Sequence, residues 1–143
     1  RETLREALRQ RDPGVSPIEA LRLLAHRLVA EQRPYVEFSA RSQSFIETVE
    51  RSDTLKARAR AIRDELAQVA TLALSESVGR GPADPDARLA ASLLLATWAI
   101  AFIEAHRTFR QTLDAEAANT AFLAIVDKGT TGLKAAMAGT PYA

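Results

Sequence analysis

Cysteine is absent from the sequence, which excludes disulfides, thiolate metal sites and a cysteine nucleophile. Histidine is scarce. His26 and His106 fall on different predicted helices, and Glu104-Ala105-His106 is not the Glu-x-x-His spacing of a helical di-metal site. No metal and no cofactor is expected. Seryl-nucleophile motifs, phosphate-binding loops and dinucleotide fingerprints are missing, and neither Ser75 nor Ser77 has a base at a telling spacing. The chain therefore reads as something other than an enzyme. An excess of one charge is missing too: 19 Lys+Arg against 18 Asp+Glu leave a net +1. So small a charge gives no reason to expect the segment itself to coat nucleic acid or an anionic membrane. The longest apolar run, Leu89 to Ile103, is about 15 residues, short of the ~20 a bilayer needs. The charged, amphipathic start Arg1–Arg9 is not a secretion leader. A cytoplasmic protein without membrane contact is the expectation, and an opening in mid-helix pattern without Met suggests a piece of a longer chain.

What is there is apolar periodicity at helical spacing, in a chain of 143 residues that suits a single domain. Leu4, Ala7 and Leu8 share one side of a leading helix over 1–11 that Asp12-Pro13-Gly14 stops. Ser16-Pro17-Ile18-Glu19 is the clearest local signal. Ser16 suits a cap, Pro17 the first helical position, and Glu19 the closing position of a capping box. A helix over 16–33 follows, with Ile18, Leu21, Leu24, Ala25, Leu28 and Val29 inward. Pro34 is expected to begin a third helix, 34–51, whose stripe holds Tyr35, Phe38, Ser42, Phe45 and Val49. Ser52 or Asp53 caps a fourth, 52–79, facing inward with Leu55, Ala59, Ile62, Leu66, Val69 and Ala73. Asp84-Pro85-Asp86 starts a fifth, 84–110, and Asp114 caps the last, 114–138.

The fifth helix is apolar on every side from Leu89 to Ile103, so one core face cannot satisfy it. The last helix is rich in small residues. A homodimer built from two copies of this helix pair as a four-helix bundle covers both faces. Leu93, Ile100, Phe122, Ile125, Gly129 and Leu133 are the candidate interface residues. The plainer alternative makes the fifth helix the central helix of a monomer. Gly129-Thr130-Thr131-Gly132 has the look of a nucleic-acid-clamping loop, but that loop belongs among strands. These glycines read instead as close-packing positions. The fold expected is all-α, a bundle of five to six antiparallel helices.

This order of helices resembles the C-terminal domain of TetR-family transcriptional regulators. The stretch Phe45-Ile46-Glu47-Thr48-Val49-Glu50-Arg51-Ser52-Asp53-Thr54-Leu55-Lys56-Ala57-Arg58-Ala59-Arg60 carries most of the likeness. It is similar to the short helix, polar break and long Leu/Arg-rich helix of many members, as is the Ala-rich last helix with Gly132-Leu133. The family's N-terminal helix-turn-helix is absent from these residues, so the resemblance implies contact with operator DNA only through that missing part. It also implies that 1–11 ends the linking helix, and that a small, lipophilic effector sits within the second to fifth helices. Phe38, Ser42 and Phe45 then offer apolar walls and a hydroxyl. Leu66 and Arg63 stand on the fourth helix, Arg63 as a cation for an acidic ligand or for a neighbouring Glu. Trp98 and Phe102, one turn apart on the fifth, complete the candidate ligand-binding set, or else serve only core and interface. A structural interaction domain with no small ligand is the alternative reading. An enzyme converging Arg41, Arg58, Arg63 and Arg107 on a small anion is the third.

Overall fold

The computed structural model describes residues 2–33 and 37–143, and among them every regular element is a helix. The helices are α1 (Glu2–Arg9), α2 (Pro17–Ala30), α3 (Ala40–Glu50), α4 (Asp53–Ser77), α5 (Pro85–Thr112) and α6 (Ala115–Ala136). Their starts follow the side chains that satisfy otherwise unpaired backbone N–H groups. The Ser16 hydroxyl accepts from the Glu19 amide at 3.1 Å, Ser52 from Leu55 at 3.2 Å, and Asp114 from Glu116 at 2.9 Å. Glu19 does not close the expected capping box. Its carboxylate is taken by the Arg22 guanidinium and the Lys134 ammonium, each at 2.6 Å, which ties α2 to α6.

The third helix departs from expectation. It begins at Ala40, because Ser39 in extended conformation and Ser42 cap each other reciprocally, at 3.2 Å and 3.0 Å. The expected start at Pro34 and the stripe position Tyr35 lie outside the described residues. Phe38 precedes the helix, so it cannot share a helical stripe with Ser42 and Phe45. The fourth helix departs as well. Only its second half packs, through Ala70, Ala73 and Leu74, while Leu55 and Ile62 are exposed.

α5 and α6 form the principal pairing, with α4 against α5, α2 against α6, and α1 laid on α2 and α4. The inner face of α5 is made small by Ala87, Ala90, Ala91, Ala101 and Ala105, all buried. Close approach reaches its limit at Gly129, where an added Cβ would sit 2.2 Å from the Thr97 methyl. Gly129 thus packs against its own chain, not where a partner was expected to meet it. Gly129→Ala is expected to lower stability by about 1–3 kcal/mol through overpacking, outweighing the ~1 kcal/mol that Ala gains in a helix. Adding Thr97→Ala removes the two γ atoms, at 2.2 and 2.6 Å, but not the Cβ at 2.9 Å, and should restore part of the loss in urea unfolding. A single variant as stable as the parent would contradict this account of the helix contact.

At 28 residues, with a mean hydropathy of 1.6 over an 18-residue window, α5 is long and apolar enough to cross a bilayer by length and composition. This exceeds the expectation from the shorter run. A third of that window is buried in the bundle.

Candidate ligand-binding site

The large apolar residues of α5 divide by helical phase. Leu89, Leu93, Ile100 and Ile103 point outward and are exposed. Leu95, Trp98 and Phe102, spaced i, i+3 and i+7, turn toward α1, α2 and α4. There they meet Thr3 and Leu4 of α1, Leu24 and Leu28 of α2, and Leu66 of α4 around a cavity of about 330 Å³. The walls are leucine and aromatic carbon, and the Thr3 hydroxyl and the Trp98 indole N–H are the side-chain polar groups among the lining residues. This volume stands at the small end of the ~300–1,000 Å³ typical of ligand pockets. Thr3, Leu24 and Leu28 also border a second, half-polar hollow of about 570 Å³ between α1 and α2.

Of the residues expected around a ligand, Leu66, Trp98 and Phe102 line the cavity. The four others do not. Phe38 is buried, its ring 6.3 Å from Phe102 and 5.8 Å from Phe122, in an aromatic cluster of which only Phe102 lines the cavity. Ser42 is spent on capping α3. Phe45 is 66% exposed, and Arg63 is exposed on the projecting half of α4. The wall expected from the third helix is supplied instead by α1. Leu4, Leu24 and Leu28 read in sequence as ordinary core positions, and Thr3 and Leu95 carry no local signal that sets them apart.

The expected interface residues divide in the same way. Leu93 and Ile100 present exposed surface, 37% and 52%. Phe122 and Leu133 are covered by their own chain, at 0% and 3%, and have no side-chain surface left for a partner. Ile125 is half-buried against the core.

Beside the aromatic cluster, His106 is buried with its ring edge-on to Phe38 at 5.2 Å, and its Nδ1 has no hydrogen-bond partner. Burial pushes its pKa below the ordinary 6.5, and the nearby Arg110 charge adds to this against the opposing Glu50. The unfolded chain therefore takes up the proton first as pH falls. The folded state loses stability below about pH 6.5, down to the depressed folded pKa. His106→Leu is expected to remove this part of the pH dependence. The stability difference between variant and parent should grow in the variant's favour from pH 7 to pH 5, read by urea unfolding at each pH. A difference that stays constant would mean that His106 titrates alike in both states.

Charged groups elsewhere serve to join helices. The His26 Nε2 lies 2.7 Å from Asp127, which also pairs with Arg22. Arg22 and Lys134 hold the Glu19 carboxyl down to about 2, chiefly through the Arg22 hydrogen bond. Among the described residues no group of three or more His, Asp or Glu is placed to hold a metal ion. Compared with protein-family models, with curated proteins and with solved structures, the chain matches none.

Proposed function

We propose that this domain binds a small lipophilic molecule and dimerises, serving as the effector domain of a TetR-like transcriptional repressor. The observation that carries the reading is the apolar cavity with α1 in its wall. Thr3 and Leu4 line it together with Trp98 and Phe102, so an occupant touches α1 directly. In a TetR-like protein α1 would continue into the DNA-reading domain. A ligand that favours one placement of α1 would then change the separation of two such domains. A coupling of about 1–3 kcal/mol changes operator affinity by roughly 5- to 150-fold.

Trp98 is the only Trp in the sequence and stands in the cavity wall, so its emission reports occupancy. Decanol, titrated below its solubility limit, is expected to shift that emission saturably and to raise the melting temperature. A flat titration on both readouts, with decanol and with shorter and longer alcohols, would remove the ligand-binding reading. It would leave the structural interaction domain, which predicts a dimer indifferent to small molecules.

Dimerisation is supported by the outer face of α5. Leu89, Leu93, Ala96, Ile100 and Ile103 recur at intervals of four and three along the helix, the spacing of a helix-pairing seam. No charge interrupts that stretch. A second copy applying the same face would give a symmetric four-helix contact with α6 alongside. Ile100→Glu is expected to convert the dimer to monomer in sedimentation equilibrium while leaving the helical circular dichroism unchanged. Binding of the parent protein to neutral phospholipid vesicles, with no dimer in their absence, would assign the stripe to a bilayer instead.

A further inference from the structure

The cavity and the half-polar hollow between α1 and α2 adjoin each other: Thr3, Leu24 and Leu28 border both. Past these three residues the lining changes from carbon to charge. Arg27, Glu31 and Arg33 on the α2 side face Glu6 and Gln10 on α1. Most of these groups already hold each other. The Arg33 guanidinium donates to Glu31 at 3.2 Å, and the Gln10 amide donates to Glu6. Arg27 has no hydrogen bond or ion pair to any described side chain, which leaves one uncommitted cation in the hollow that adjoins the apolar cavity.

Resting on the reading of the cavity as a ligand site, we infer that its ligand is an anionic amphiphile, such as a medium-chain carboxylate. The hydrocarbon body lies against Leu66, Trp98 and Phe102, and the carboxylate extends past Thr3 and Leu28, which the two spaces share, toward Arg27. A guanidinium binds a carboxylate through two parallel N–H···O bonds, while an alcohol offers it only one neutral acceptor. The small chamber sets an upper bound on the body, and the open hollow allows variation in the head. A cationic head is disfavoured because it would meet the Arg27 guanidinium, a like charge with no counter-ion among the described residues.

The test compares decanoate, decanol and decyltrimethylammonium at neutral pH, each below its micelle concentration, using Trp98 emission and calorimetry. In the parent protein decanoate is expected to bind about tenfold tighter than decanol, with the margin shrinking as salt is raised. Arg27→Gln should bring decanoate down to the level of decanol and leave decanol unchanged. Equal affinity of the two in the parent, or tighter binding of the ammonium, would overturn the inference while leaving an apolar ligand site standing. So would an Arg27→Gln variant that keeps the preference. Failure of all three to bind would overturn the cavity reading and the inference with it.

Discussion

Tyr142→Ala is expected to lower the free energy of unfolding by about 3–5 kcal/mol, the usual cost of deleting a large buried aromatic side chain. Domains have only ~5–15 kcal/mol in total, so this one substitution near the C-terminus brings the fold close to failure. Tyr142 is fully buried although it lies beyond the last helix. Its hydroxyl donates to Asp84 Oδ2, its carbonyl accepts from the Ile18 amide at 3.2 Å, and the Arg80 guanidinium lies 5.7 Å over its ring. One residue thereby fastens the starts of α2 and α5 together, through its carbonyl and its hydroxyl. Burial and the Asp84 bond hold the phenol protonated well above its ordinary range, while that bond keeps the Asp84 carboxyl below its own. Tyr142→Phe keeps the ring and loses the hydroxyl, so about 1–2 kcal/mol is expected. Urea unfolding ranks the two variants. An Ala variant within 1 kcal/mol of the parent would mean that the tail is not part of the core.

The second large effect concerns binding. Leu66→Trp is expected to weaken decanol binding by at least about a hundredfold, by placing an indole where the ligand body would lie. The parent chain leaves a cavity of about 330 Å³ beside this partly buried leucine, so the larger ring has room and the helical fold should persist. Calorimetry measures the affinity, because a second Trp complicates the emission. Leu66→Ala supplies the opposite test: it enlarges the chamber and should improve binding of a branched alcohol relative to decanol. Unchanged affinity in both variants would place decanol elsewhere on the molecule.

The helices were legible where a local signal decides the outcome. Ser16, Ser52, Asp84 and Asp114 each cap the helix that follows, as their residue types and positions imply. The start of α3 differs from the sequence expectation because Pro34 is a familiar helix opener, whereas Ser39 with Ser42 forms the actual cap five residues later. The packed half of α4 was not separable from its projecting half. Leu55 and Ile62 repeat at the same spacing as Leu66 and Val69, and only the extent of the neighbouring helices decides which are covered. The site was half legible for a related reason. Trp98, Phe102 and Leu66 stand out by size and phase, but the opposite wall is made of leucines on α1 and α2 that look like any core. Phe122 and Leu133 show the reverse: these apolar residues of the last helix face inward, and the exposed apolar stripe lies on α5. Tyr142 gave no periodic signal at all, since its burial depends on Asp84 and Ile18, far away in sequence.

The most direct measurement is the set of proton–proton nuclear Overhauser contacts between bound decanol and the methyl and indole groups of the protein. Contacts to Leu4, Leu24, Leu28, Leu66 and the Trp98 ring, with none to Leu89, Leu93, Ile100 or Ile103, are predicted. A ligand in contact with that outer stripe and silent toward Leu4 and Trp98 would contradict the account, because decanol would then report only an exposed apolar face.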